Sequence, residues 1–343
     1  MTADNQLKVI LAGCGSISRS WLRPATNHPD LQFVGLVDIN LDNAHRVQEE
    51  FQLNQAQVGD GLSRMIAETG ADIVFDCTVP EAHTAITIEA LQRGCHVLGE
   101  KPMADSMDKA ARMLEAARAS GKIYAVIQNR RYVDSIVRFR DFLQANRIGR
   151  LHTLNADFYL GPHFGGFREE MDHVLLVDMA IHSFDQARFI SGTDPVAVYC
   201  YEWNPPGSWY RHGASAMAIF EMSDGLVFNY RGSWCAEGLS SSWECEWRAS
   251  GEKGTALWDG HDGFRAEAVA GSEGFIREQQ SLEIPASPPL TQTGHAGVIY
   301  EFLNCVKTGC TPQTICTDNI KSLAMVHAAI ESAETGRRVE IQL

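Results

Sequence analysis

Apolar positions along the chain follow two rhythms. Up to about residue 125, short unbroken apolar runs alternate with segments of helical period. The runs "LKVILAG" (7–13), "LQFVGLVD" (31–38), "ADIVFDCTV" (71–79), "HVLGEKP" (96–102) and "IYAVIQN" (123–129) predict buried strands. Between them, "LDNAHRVQEEFQ", "EAHTAITIEALQRG" and "MDKAARMLEAARASG" predict helices. Apolar strands alternating with helices imply a parallel sheet covered on both faces. Beyond that point the period changes to two. "LNADFYL" and "PVAVYCYEW" alternate as half-exposed strands do. "SAMAIFEMSDGLVFNYRGSW" predicts two strands joined at Asp224-Gly225, and "CEWRASGEKGTALWDG" another hairpin. The chain returns to helix in "GVIYEFLNCVKTG" and "TDNIKSLAMVHAAIESAETG". The expected class is α/β, with a doubly wound parallel-sheet domain over 1–125 and a second α/β domain over 126–343. Six of the seven tryptophans lie between Trp203 and Trp258, which suits either an interface or the core of the second sheet.

Composition narrows the function. A length of 343 residues exceeds one ordinary core, in keeping with two domains. A net charge of -14 argues against nucleic-acid partners and against a basic membrane-surface protein. No uncharged apolar stretch approaches the ~18 residues of a membrane span. The start, "MTADNQLKVILAG", runs straight into a strand and carries no signal-peptide pattern. Nine cysteines are scattered without a CxxC pair, and the expectation is reduced thiols in a cytoplasmic protein.

"VILAGCGSIS" carries the first chemical signal. Gly13 and Gly15 supply two glycines of a dinucleotide-binding turn, and Ser18 stands where the third would be. The first glycine permits the tight strand-to-helix turn, and the second lets backbone approach a pyrophosphate. The backbone of Ser16, Ile17 and Ser18 opens a helix whose free N–H groups face the phosphates. Asp38 ends the next strand, 20 residues after Ser18, where a carboxylate accepts from both ribose hydroxyls and repels a 2′-phosphate. NAD is therefore expected over NADP.

A second signal lies in "VLGEKPMA" and "VLLVDMAIHSFD". Glu100, Lys101 and Pro102 end a parallel strand, the edge at which such sheets bind ligands. Lys101 there can hydrogen-bond a substrate hydroxyl, the plain alternative being a solvated loop lysine. Asp178 and His182 share one face of a helix at i, i+4, among apolar neighbours, with Asp185 one turn on. A carboxylate one turn away can fix an imidazole in one tautomer, ready to take a proton. The pair equally fits a structural histidine. Glu169, Asp172 and His173 with Asp178 and His182 match no metal-ligand spacing, so no metal is expected. "GPHFGGFREEMDH" precedes this helix, and His163, Arg168 and His173 are its candidate substrate contacts; an arginine can grip a carboxylate or phosphate bidentately.

These motifs resemble the glucose–fructose oxidoreductase/inositol dehydrogenase (Gfo/Idh/MocA) family over nearly the whole chain. "GCGSIS", "VDIN", "TVPEAHTAITIEALQRGCHVLGEKPMA", "QNRRYVDSIVRFRDFLQANRIGRLH", "LLVDMAIHSFDQARFISG", "SGEKGTALWDG" and "SLAMVHAAIESAETGRRVEI" carry the likeness. It implies a Rossmann domain followed by a domain built on a large open, mainly antiparallel sheet that forms a homodimer or homotetramer. It also implies a nicotinamide cofactor and a sugar, polyol or sugar-acid substrate. By position, Lys101, Asp178 and His182 become the catalytic set. Thr78, Pro80 and His83 match a loop lining the nicotinamide ribose, although the sequence has "CTVPEAH" where the family often reads TPN. Glu100 and Lys101 join the cofactor contacts. Arg131 and Tyr132 match a basic–aromatic pair that touches substrate or braces the domain junction. Two other functions use the same parts: redox-neutral NAD-assisted glycosidase, epimerase or lyase chemistry, and a non-catalytic NAD-binding sensor.

Overall fold

The computed structural model describes residues 6–343, so the first five residues of the start discussed above lie outside it. The chain clusters into two compact units, one running to Asn129 and including Thr291–Ile320, the other Arg130–Leu290 with Lys321–Leu343. In the first unit, β1 (Leu7–Ala12) leads to α1 (Ser18–Ala25), β2 (Leu31–Val37), α2 (Leu41–Glu50) and β3 (Gln57–Gly59). Then come α3 (Leu62–Thr69), β4 (Ile73–Asp76), α4 (Pro80–Gln92), β5 (His96–Gly99), α5 (Met107–Ser120) and β6 (Tyr124–Val126). The six strands form one parallel sheet in the order β3-β2-β1-β4-β5-β6. Its central strands are wholly buried, from Val9–Ala12 on β1 to Ile73–Phe75 on β4. That burial on both faces is why these segments are unbroken apolar runs. Strand β3 is the one that the apolar pattern does not foretell: "QVG" is short and only half-buried at the sheet edge.

The second unit begins at α6 (Asp134–Gln144), followed by β7 (Leu151–Tyr159), α7 (Phe167–Glu170), α8 (Ile181–Ser191), β8 (Pro195–Trp203) and β9 (Ser215–Met222). The sheet continues with β10 (Val227–Ser233), β11 (Glu246–Gly251), β12 (Gly254–Trp258), β13 (Phe264–Val269) and β14 (Gln279–Leu282). Next, α9 (Gly294–Thr308) belongs to the first unit, and α10 (Cys316–Thr335) and β15 (Val339–Glu340) end the chain. Nine strands order as β14-β13-β12-β11-β7-β10-β9-β8-β15, with β7 and β10 the one parallel pair. The β9–β10 hairpin turns at Ser223–Gly225, and Asp224 takes a φ of 60° there, a conformation Asp tolerates. Inward positions of the sheet hold Phe220, Phe228, Tyr230, Trp247 and Trp258, each under 3% exposed. Half of the clustered tryptophans are core: Trp234, Trp247 and Trp258 are buried, Trp203 and Trp209 are partly exposed, and Trp243 is 47% exposed.

One expectation is corrected. Cys305 and Cys310 are joined by a disulfide, so the thiols are not all reduced. The turn that closes α9 at Gly309 brings their Cα atoms to 4.5 Å, a proximity that a spacing of five residues does not announce. The other seven cysteines are free, and six of them are buried.

Candidate functional site

The glycine turn is built around a backbone that excludes side chains. Gly13 has a φ of +87°, and a Cβ there would stand 2.5 Å from the carbonyl oxygen of Cys77. No other residue fits without displacing β4's end. Gly15 differs: a Cβ on it would meet nothing within 4 Å, so the turn is open on that side. Among the described residues, the N–H groups of Gly15, Ser16 and Ile17 donate to no protein acceptor. Three unsatisfied donors at a helix start form an anion-binding concavity. Ser18 is fully buried, and its hydroxyl donates to the carbonyl of Gly15 at 2.7 Å, tying down the turn where a third glycine would have packed. Asp38 follows β2 directly. Its carboxylate accepts from the N–H of Cys14 at 2.7 Å and of Asn40 at 2.8 Å. Burial first, and then the Asp38 charge, push the Cys14 thiol up to about 12, so it stays neutral beside the turn. This open donor set beside a ribose-height carboxylate fits a dinucleotide, and Gly13–Ser18 with Asp38 are the residues that would hold it.

The ends of β4 and β5 are locked together. The Glu100 carboxylate accepts from the indole N–H of Trp21 on α1 at 2.8 Å and from the N–H of Lys101 at 2.8 Å. It is 6% exposed, so its place in the fold is to tie the Lys101 turn to the helix after the glycine turn. The Lys101–Pro102 peptide is cis. His83 is buried, with Nδ1 2.9 Å from the Pro102 carbonyl and Nε2 3.0 Å from the Thr78 carbonyl. Both ring nitrogens thus meet protein carbonyls, so the imidazole of this expected nicotinamide-ribose loop sits between the Thr78 and Pro102 backbones. Pro80 opens α4 at its first position, as a residue lacking N–H can. Thr78 turns inward: its hydroxyl and its N–H both donate to Asp76, at 2.5 and 3.1 Å. Thr87 donates to the other Asp76 oxygen at 3.1 Å. This fully buried carboxylate went unremarked in the sequence, where the lone acid closing "IVFD" was its signal.

In the second unit, the segment expected to be a regular helix opens with a π-helical stretch, Leu175–Ala180, before α8. Wider turns of this kind re-aim side chains and concentrate at functional sites. Asp178 lies in the π stretch and His182 in the first turn of α8, where it is 8% exposed. The Asp178 carboxylate accepts from Arg168 Nε at 2.9 Å. Asp185 is different in kind. It is buried and takes a bidentate grip from Arg131, Nε at 2.7 Å and Nη2 at 2.6 Å, with Ser322 donating at 2.7 Å. Arg131 and Tyr132 are both buried, and within this unit Arg131 braces α8 through Asp185.

Three histidines meet carboxylates in and around the loop ahead of the π stretch. His163 stacks on Trp209, ring centroids 3.8 Å apart, and its Nε2 lies 3.1 Å from Glu237. His173, in a left-handed conformation, meets Glu202 at 2.5 Å and Glu334 at 3.4 Å, and its hydrogen bond to Glu202 raises its pKa. His212 lies 3.2 Å from Asp172. Sequence reasoning missed Arg130, whose Nη2 is 3.4 Å from Met179 Sδ and whose Nη1 donates to the Trp243 carbonyl. No group of three or more metal-ligating side chains occurs, and no helix is long and apolar enough to cross a membrane, among the described residues.

The uncharacterized protein y4oX of Sinorhizobium fredii is 28% identical over 98% of this chain and 96% of its own. The 1,5-anhydro-D-fructose reductase of Ensifer adhaerens is 22% identical over 97% of this chain and 98% of its own. The fold aligns with an oxidoreductase from Agrobacterium radiobacter, solved in complex with NAD+, L-tartaric acid and magnesium, at TM-score 0.85 and 22% identity over 98% of both chains. Residues 7–128 match the GFO_IDH_MocA oxidoreductase family, NAD-binding Rossmann fold, and residues 136–257 match the GFO/IDH/MocA C-terminal domain. The chain therefore belongs to the Gfo/Idh/MocA oxidoreductase family.

Proposed function

We propose that the protein is a cytoplasmic, NAD-dependent dehydrogenase acting on a CH–OH group of a sugar, polyol or sugar acid. The observation that carries the reading is the open trio of N–H donors at Gly15–Ile17 beside the anchored Asp38 carboxylate. That set suits a pyrophosphate and an unphosphorylated ribose, and so NAD over NADP. The Ensifer relative is named for a sugar-derived substrate and the Agrobacterium relative was solved with NAD+, which supports the same assignment.

The nicotinamide, when bound, supplies the carbon that accepts a hydride. The residues of the chain handle the proton and the substrate's orientation. His182 is assigned to take the hydroxyl proton while the substrate C–H bond gives up its electron pair as hydride and the C–O bond becomes a carbonyl. Lys101 is assigned a hydrogen bond to a substrate hydroxyl, where its charge would stabilise a developing alkoxide. Asp178 orients the constellation, its own carboxylate steadied by Arg168. We also infer a homo-oligomer formed through the second sheet. On β8 and β9 the outward side chains Tyr199, Tyr201, Met217 and Ile219 are 46–63% exposed, and Tyr199 pairs with Ile219 and Tyr201 with Met217. A contiguous apolar face of this kind is what a partner subunit covers.

The test is absorbance of reduced nicotinamide with NAD or NADP and a panel of inositols, aldoses and sugar acids. A rise with NAD and one substrate class is the expected outcome. Cleavage or epimerisation of a substrate without net cofactor reduction would replace the dehydrogenase reading with redox-neutral chemistry.

A further inference from the structure

We propose that the second unit contains a subsite for a carboxylate-bearing polyhydroxy substrate, a sugar acid, with Arg168 gripping the carboxylate and an aromatic wall taking the C–H face of the carbon skeleton. The inference rests on the sugar-like substrate of the reading above and fixes its class.

Arg168, on the one-turn helix α7, is unusual in its partners. Of its five N–H donors, Nε alone has an acceptor, the Asp178 carboxylate at 2.9 Å. The end-on edge, carrying Nη1 and Nη2, meets no acceptor among the described residues, and the side chain is 35% exposed. That edge is the fork that matches a carboxylate in two parallel hydrogen bonds. The guanidinium is also held in place. The rings of Phe164 and Phe167 lie 5.0 and 4.9 Å from it. These two phenylalanines are 44% and 69% exposed, and their contact with the arginine gives large apolar rings a purpose at a solvent-facing position. A fork fixed before binding loses less rotamer entropy when a ligand arrives.

The aromatic wall begins at the same phenylalanine. Phe164 meets Trp234 edge-on at 5.3 Å, and Trp234 meets Trp243 at 5.7 Å. Trp243 is 47% exposed, and its carbonyl is held by Arg130, which also reaches the sulfur of Met179 at 3.4 Å. Met179 follows Asp178 in the chain, so the contacts run from Asp178 through Arg168 and the aromatics back to the same π-helical stretch. The negatively charged face of an aromatic ring attracts the polarised C–H bonds on one side of a sugar. The patch therefore combines a surface for carbon, the expected acid–base helix, and a cationic fork.

The charge balance selects the anion. Asp178 already neutralises one edge of the guanidinium, so a doubly charged phosphate on the other edge would face an adjacent carboxylate and a protein of net charge -14. A singly charged carboxylate is bound at smaller repulsion. Neutral sugars leave the fork with weaker hydroxyl acceptors.

The test is calorimetric titration of the full-length protein, with and without NAD. The probes are D-glucuronate, D-galacturonate and D-gluconate against D-glucose, D-galactose and D-glucitol, with glucose 6-phosphate as the phosphate probe. At least one acid should bind about tenfold or more tighter than its neutral counterpart. Arg168→Gln should bring that ratio to near one, and Arg168→Lys, which keeps charge without the fork, should lie between. Phe167→Leu, at an exposed position, should lower the ratio in the same direction even if the Arg168 variants do not fold. No acid preference in the wild type, a preference for the phosphate, or a preference that survives Arg168→Gln overturns the subsite. Reduced nicotinamide is followed in the same mixtures. Oxidation of neutral sugars without acid preference sinks the subsite and leaves the dehydrogenase standing. Acid-selective binding without hydride transfer does the reverse.

Discussion

The carboxylate of Asp38, just past β2, accepts a 2.7 Å hydrogen bond from the backbone N–H of Cys14 in the glycine turn. One oxygen thus shapes the turn while the group as a whole remains an acceptor for a ribose. Asp38→Ala removes both roles. NAD affinity should fall by about tenfold or more, and the preference over NADP should narrow, because the charge that repels a 2′-phosphate goes with it. Calorimetry with both nucleotides decides this. Equal, unchanged affinities would strip Asp38 of its ribose role.

The two glycines of the turn should respond differently. Gly13→Ala forces a Cβ to within 2.5 Å of the Cys77 carbonyl at a φ of +87°. That strain alone costs about 1–2 kcal/mol, so the variant should melt lower as well as lose NAD. Gly15→Ala meets nothing within 4 Å and should leave the melting temperature alone. It should weaken NAD only, since the added methyl stands where the pyrophosphate is expected. Melting curves with and without NAD separate the two effects.

The extent to which sequence foretells this molecule follows from what each feature depends on. The six-stranded sheet is legible because complete burial demands unbroken apolar runs, as in "VILA" and "IVF". The hairpin at Asp224-Gly225 is legible because few residues tolerate its backbone. Edge strand β3 is not, since "QVG" buries too little to leave a pattern. The glycine turn and the Asp178–His182 spacing stand out as local signals. What remained closed are side-chain partnerships, whether local or between distant residues. Thr78 and Thr87 converging on Asp76, Trp21 reaching Glu100, and Arg131 meeting Asp185 span 2 to 79 positions. None imposes a rule on its neighbours in the chain. The π-helical stretch is likewise silent, because its widened turns keep the same apolar residues buried.

Arg131 and Asp185 form a buried pair, 7% and 2% exposed, with two hydrogen bonds of 2.6–2.7 Å. Removing Arg131 leaves the buried Asp185 carboxylate with the more distant Arg188, at 3.8 Å, as counter-charge. Arg131→Met should destabilise the protein by about 3–5 kcal/mol. Replacing both partners by apolar residues of similar volume should cost much less. Denaturant unfolding of the single and double variants measures this. A single variant as stable as the wild type would make the pair dispensable to the second unit.

His182→Ala should lower turnover by about 10²–10⁴-fold, the usual worth of a general base, with NAD affinity retained. Lys101→Met should lower it as well and move the pH profile, because a cation that stabilises the developing alkoxide is gone. Turnover surviving in His182→Ala but not in Lys101→Met would hand the base role to the lysine.

His173 is set between Glu202 and Glu334, with Asp172 beside it, and its hydrogen bond to Glu202 holds its pKa above the ordinary 6.5. A group protonated more readily when folded than when unfolded stabilises the fold in its charged form. That contribution is complete below the unfolded value of 6.5 and is lost as pH rises through the higher folded value. His173 also sits at a φ of 52°, so the informative variant is His173→Asn, which accepts this backbone but cannot be charged. The melting temperature of the wild type should exceed that of His173→Asn by most near about pH 6, and the gap should close toward about pH 9. Because His173 immediately precedes the helix that carries Asp178, substrate affinity should weaken over the same alkaline window. A gap constant from acid to alkaline pH would mean that the imidazole packs there without its charge contributing.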